Sequence, residues 1–238
     1  ACAASASAAG GETVTLRSLV PSVFLPTVVY DIGNGAIAPI LALAALKLGA
    51  TPALAGAVVG LLGIGQLLGN APAAAVVNRI GDRRAMIASA LLAGAAMVTA
   101  SFATHVLVLA AATLVIGAGN ATFGLARHAF VTLVAPPSIR AAIMSTVGGS
   151  HRVGLFIGPF AGAAVIDATS LRAAFLVGVG TAIATAVLLT FVAEPPGAEA
   201  FSNRPKETAS AASVWRAHGR LLATLGSAVF AIGAVRAA

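Results

Sequence analysis

The sequence has little of what a water-soluble enzyme needs. Its 238 residues include one cysteine, one tryptophan and one tyrosine, and only 9% are charged. A soluble domain usually carries about a quarter charged residues, so polar surface is too scarce to cover a globule in water. Because Cys2 is the only cysteine, an intrachain disulfide is excluded and a cysteine metal cluster is implausible. Phosphate loops and nucleophile elbows are also missing, so we predict no enzyme, no metal and no cofactor.

Long apolar segments dominate what is present. Hydrophobic residues make up 59% of the chain, and the mean hydropathy is +0.99. A membrane-spanning helix needs about 20 mostly apolar residues. Such runs occupy roughly 18–46, 52–77, 85–104, 106–134, 139–166, 170–193 and 219–238. We therefore predict an all-α, polytopic membrane bundle of six transmembrane helices plus a partial seventh, surrounded by the lipid bilayer.

Polar segments divide this pattern into four parts. Residues 1–17 are small and unpatterned and lack the form of a secretory signal, so we predict a disordered cytoplasmic tail. The six-helix bundle takes 18–193, a proline-rich cytoplasmic linker takes 194–216, and the seventh helix starts within 217–238. Since the chain stops inside that last apolar run, we expect a truncated chain.

Basic residues between the runs predict the orientation in the membrane. The helix ends on one side of the membrane carry only two bases, Lys47 and Arg172. The ends on the other side carry nine: Arg17, Arg79, Arg83, Arg84, Arg140, Arg204, Lys206, Arg216 and Arg220. Loops rich in lysine and arginine stay cytoplasmic, which places the N-terminus inside the cell. We expect a multi-pass protein of a bacterial inner or plasma membrane. The net charge of +7 reflects these loops, and we predict no nucleic-acid partner.

Several charged or polar side chains fall inside the apolar runs. Asp31, Arg127 and Arg152 are the candidates for a proton-coupling ion pair, because a charge at bilayer depth is costly unless it faces a partner or a cavity. By helical depth, Asp31 and Arg152 lie near the middle of the first and fifth helices. The alternative is a fixed structural ion pair, or an arginine that reaches the headgroups. The candidates for a substrate cavity are Tyr30, Asn34, Gln66, Asn70, Asn120, His128 and His151.

Three short motifs occur in order along the chain. The second run is followed by Ala74-x3-Asn78-Arg79-x-Gly81-Asp82-Arg83-Arg84, the fifth contains Gly154-x3-Gly158-Pro159-x2-Gly162-Ala163, and the sixth opens with Leu171-Arg172-x2-Phe175. Together they resemble the motifs of the major facilitator superfamily, and the fifth-run motif resembles its antiporter pattern. The resemblance implies a gating loop at 78–84 and twelve helices in two halves, with substrate near the midplane. Asn78 stands where the family has aspartate, with Asp82 nearby. The family's fourth-helix arginine would align near Ala111.

The resemblance implies secondary active transport by alternating access. We expect protons to be exchanged for an exported small compound of amphipathic or hydrophobic character, with a missing C-terminal half or a second copy completing the transporter. Two alternatives stay open: a nutrient importer of the same fold, and a non-transporting half-transporter or membrane scaffold.

Overall fold

The computed structural model describes residues 23–135 and 138–191, and regular structure in these ranges is helical throughout. The helices are α1 (Leu25–Lys47), α2 (Pro52–Ile80), α3 (Asp82–Ser101), α4 (Val106–Val134), α5 (Arg140–Ala168) and α6 (Leu171–Phe191). The predicted all-α class is confirmed, and each helix lies within a few residues of its apolar run, except at the start of α1. The predicted tail, the linker and the start of a seventh helix lie outside the described residues.

Most of these helices have the length and composition of membrane spans. Five of the six, all except α5, are both long enough and apolar enough to cross a bilayer. The α5 helix has 29 residues, which gives about 43 Å at 1.5 Å per residue. Its length therefore suffices, and its polar side chains, His151 and Arg152 among them, lower its apolar content. One of these polar side chains, His151, lines the candidate site.

The connection between α2 and α3 is shorter than the sequence indicates. Residues 78–84 were expected to form a loop, but α2 continues to Ile80 and α3 starts at Asp82. Gly81 alone separates the helices, with a φ of 86°, a backbone conformation that glycine adopts without a Cβ penalty. The expectation of a loop here was wrong, and the basic residues lie in the last turn of α2 and the first turn of α3.

Helix packing does not follow chain order. The main contacts join α1 to α5 and α6, α2 to α4, and α3 to α4 and α6. Two separate hydrophobic clusters result, one around Phe24, Phe123 and Ile143 and the other around Leu41, Met97 and Phe175. On α1 the first cluster reaches Tyr30 and the second begins at Ala36, so the residues between them can hold polar groups at mid-helix.

Candidate functional site

A cavity lined by both polar and apolar side chains opens between α1, α2, α4 and α5. Its volume is about 500 Å³, within the usual range for small-molecule sites. Asp31 and Arg127 contribute to its wall. So does every residue that the sequence proposed for a substrate cavity: Tyr30, Asn34, Gln66, Asn70, Asn120, His128 and His151. Most of these residues lie on α1, α4 and α5, and the amides of Gln66 and Asn70 on α2 complete the enclosure.

The carboxylate of Asp31 is the most deeply buried charge in this cavity. Asp31 is only 2% exposed, and Arg127 is 8% exposed. The Nη1 atom of Arg127 donates a hydrogen bond to Oδ2 of Asp31 at 3.1 Å. The Nδ1 atom of His151 lies 2.8 Å from the same oxygen, and Asn34 Nδ2 donates to Oδ1 at 3.4 Å. Three side chains from three helices therefore surround one carboxylate.

The ion-pair partner of Asp31 is Arg127. Depth along the helices had instead favoured Arg152 as this partner. The side chain of Arg152 is exposed, one position beyond His151 on α5. Successive residues of an α-helix differ by about 100° in direction, so equal depth does not place two neighbours on the same face. The structure thus brings Arg127 and His151 to Asp31 and leaves Arg152 on another face of α5.

An aromatic contact accompanies the ion pair between α1 and α4. The hydroxyl of Tyr30 donates to Oδ1 of Asn120 at 2.8 Å, and its ring stacks on Phe123 with centroids 3.9 Å apart. The guanidinium carbon of Arg127 lies 6.0 Å from the centre of the Phe123 ring. Sequence reasoning missed Phe123, although its spacing from Asn120 and Arg127 (three and four residues) places all three on one face of α4.

Glycines of α5 bring that helix against α1 beside Asp31. A Cβ added at Gly154 would lie 2.6 Å from Asp31 Cβ, and one at Gly158 would lie 2.5 Å from the backbone nitrogen of Ala36. Gly162 faces the side chains of Ala36 and Ile40. The motif Gly154, Gly158 and Gly162, which surrounds the helix-internal Pro159, is therefore the surface on which α1 and α5 meet.

The residues proposed for the gating loop separate into two groups. Asn78, Arg79 and Arg84 are exposed, whereas Asp82 is buried in the first turn of α3. An acidic residue is favourable there because a helix N-terminus carries partial positive charge. Arg83 donates through Nε to the carbonyl of Leu189 and through Nη2 to that of Thr190 at 3.1 Å, which ties the start of α3 to the end of α6.

The cavity offers both charge and unused hydrogen-bonding capacity. Three buried atoms of its wall, Asn34 Oδ1, Arg127 Nε and His151 Nδ1, have no hydrogen-bond partner within the described part of the chain. Unpaired buried polar groups are costly, so such atoms are suited to a polar group of a ligand. The arrangement can bind a small molecule with a few polar atoms beside a carboxylate that is shielded from bulk water.

Comparisons with known proteins agree with this architecture. The chain is 26% identical over 186 residues to the Multidrug resistance protein MdtG of Klebsiella pneumoniae, covering 76% of this chain and 45% of that protein. It is 28% identical over 163 residues to MdtG of Dickeya zeae, covering 67% of this chain and 40% of that protein. The chain thus spans less than half the length of these curated relatives.

A solved structure shares the fold. The crystal structure of a peptide transporter POT, a mutant in complex with sulfate, superposes with a TM-score of 0.69 at 15% identity, covering 92% of this chain and 45% of that one. The sequence profile of the Major Facilitator Superfamily matches residues 23–236, which is most of the chain. The chain therefore belongs to the major facilitator superfamily of membrane transporters.

Proposed function

We propose that this chain forms one half of a proton-coupled exporter of small amphipathic or hydrophobic compounds. A second six-helix half, or a second copy of the chain, completes the transporter. It resides in a bacterial inner or plasma membrane with its N-terminus in the cytoplasm, and it works by alternating access. The single observation that carries the proposal is the buried Asp31 carboxylate, held by Arg127 and His151 in the wall of a ligand-sized cavity.

The ion pair supplies a way to couple proton binding to helix movement. Protonation of Asp31 removes its negative charge and leaves Arg127 in a buried position without its counter-ion. Removing one partner of a buried ion pair costs about 3–5 kcal/mol, so the α1–α4 contact is weakened in the protonated state. The two halves then favour the conformation that is open to the other side of the membrane, because in that conformation water or another partner contacts the guanidinium of Arg127.

The cavity wall supports a substrate that is largely apolar with a few polar atoms. Ile37, Leu62 and Leu155 contribute apolar surface, and Gln66 and Asn70 contribute amides. The curated relatives are named multidrug resistance proteins, which favours export over nutrient uptake. The glycine strip of α5 is the antiporter-like motif that the sequence identified, and in this chain it sets the position of α5 beside Asp31.

The direction of transport can be tested with the complete protein in a bacterial host. A panel of drugs and metabolites is measured for accumulation with and without a protonophore. We expect export of some compounds against their gradient, abolished by the protonophore. Uptake of a nutrient would instead identify an importer, and movement of no compound would favour the non-transporting scaffold.

The role of Asp31 is tested by Asp31→Asn in the same assay. Asparagine keeps the shape of the side chain but cannot exchange a proton at this position. We expect normal expression and loss of proton-dependent export. Asp167→Asn is the matched control, because Asp167 is an exposed carboxylate at the end of α5. Unchanged coupling in the Asp31 variant would remove this residue from the mechanism.

A further inference from the structure

The carboxylate that the proposed function uses has almost no direct access to water. The side chain of Asp31 is 3% exposed, so a proton needs a path from the cavity to its Oδ2 atom. His151 connects the cavity to this oxygen, because its side chain is 39% exposed and its Nδ1 atom lies 2.8 Å from Oδ2. One imidazole therefore touches the buried acid with one edge and lines the open cavity with the rest of the ring.

The packing of α5 fixes this position of the imidazole. Gly154 lies three residues after His151, and its Cα faces the Cβ of Asp31. Residues three apart lie on the same side of a helix, so the glycine contact that brings α5 against α1 also directs His151 toward Asp31. The position follows from backbone packing and does not depend on a loop.

The distance between the two atoms has a chemical consequence. An unprotonated Nδ1 and an ionised carboxylate oxygen would place two lone pairs against each other at 2.8 Å. A close N···O approach of this kind is favourable when one proton lies between the atoms. Nδ1 lacks an aligned hydrogen bond in this conformation, so the ring must turn before a hydrogen on Nδ1 points at Oδ2.

We propose that His151 relays protons between the cavity and Asp31, an inference that rests on the proposed function. A proton from cavity water binds Nε2 of the imidazole whose Nδ1 already carries hydrogen. The Nδ1–H bond breaks as an O–H bond forms on Oδ2 of Asp31. The products are a neutral carboxylic acid and a neutral imidazole with hydrogen on Nε2. The reverse transfer, followed by loss of the Nε2 proton to water, releases it.

Other charged and titratable groups surround the pair. Arg127 on α4 shares the Oδ2 atom, and His128 follows it in the cavity wall. Tyr30 precedes Asp31 on α1, and the polar side chains that α2 contributes to the described wall are the uncharged amides of Gln66 and Asn70. Of the two histidines in this wall, His151 is the one with a ring nitrogen within 3 Å of an Asp31 oxygen, and an imidazole can both accept and donate a proton. Arg127 stays charged and so cannot relay a proton.

The test follows the protonation of Asp31 itself and needs no substrate. The complete protein is placed in lipid nanodiscs, and the carboxyl C=O band is followed by infrared spectroscopy after a rapid drop in pH. Asp31→Asn identifies the band. We expect His151→Ala to slow the appearance of the band about 100-fold, since a positioned acid–base group contributes about 10²–10⁴ in rate. Imidazole in the buffer should restore the rate, because the open cavity can admit it.

Controls separate this relay from a structural role. His105→Ala, in the exposed turn before α4, should keep the wild-type rate and gain nothing from imidazole. His151→Gln keeps a polar side chain of similar size and should be equally slow, so it carries the test if the alanine variant does not fold. A wild-type rate in either His151 variant, or slowing that imidazole does not relieve, overturns the relay. A carboxyl band absent from the wild-type protein at every pH overturns the proposed function as well.

Discussion

Substitution of Gly158 by alanine tests whether glycine contacts hold α5 against α1. The new Cβ would lie 2.5 Å from the nitrogen of Ala36 and 2.6 Å from the carbonyl carbon of Gly35, whereas ordinary contact begins near 3.4 Å. Both neighbours are backbone atoms, which cannot rotate away. The helices must therefore separate by about 1 Å, and overpacking of this kind costs about 1–3 kcal/mol.

The matched control is Gly149→Ala on the same helix. No atom lies within 4 Å of the Cβ position at Gly149, and alanine is favoured over glycine in a helix by about 1 kcal/mol. Thermal unfolding of the complete protein in mild detergent, followed by circular dichroism, compares the two variants. We expect a lower midpoint for Gly158→Ala and an unchanged or higher midpoint for Gly149→Ala. Equal midpoints would refute close packing of α5 on α1 at this position.

Three further substitutions test individual contacts. Arg127→Ala should lower the free energy of unfolding by about 3–5 kcal/mol, because it leaves a buried carboxylate unpaired, while exposed Arg152→Ala should change it by less than about 0.5 kcal/mol in the same thermal assay. Tyr30→Phe keeps the ring stacking and loses one hydrogen bond, so a loss of about 1 kcal/mol is expected from thermal unfolding. Arg83→Ala should raise amide hydrogen exchange in the last turn of α6, and unchanged exchange would show that this contact contributes little.

The architecture could be predicted from the sequence because it depends on length and hydropathy. A run of about 20 apolar residues has few alternatives to a membrane-spanning helix. Family motifs then indicated the superfamily, and both that assignment and its non-enzymatic class are confirmed. The short α2–α3 connection was missed because one glycine at positive φ can replace a loop, and a run of basic residues does not reveal this.

The site could be predicted in composition but not in pairing. Polar residues inside apolar runs indicated the cavity wall, because a polar side chain at bilayer depth is costly unless it faces a cavity or a partner. Depth did not determine which face each side chain takes. Arg152 is two residues before Gly154, about 200° around α5 from the surface that meets α1, whereas His151 is three residues before it and returns to that surface. The glycine strip therefore determines which of the two neighbours reaches Asp31.

The most direct test of proton coupling at Asp31 measures the protons themselves. The complete protein is reconstituted in liposomes with a pH-sensitive dye inside, and an outward gradient of an exported compound is imposed. The account predicts that the wild-type protein and Asp167→Asn move protons in the opposite direction to the compound, while Asp31→Asn moves none. Proton movement of wild-type size in the Asp31→Asn protein would contradict it.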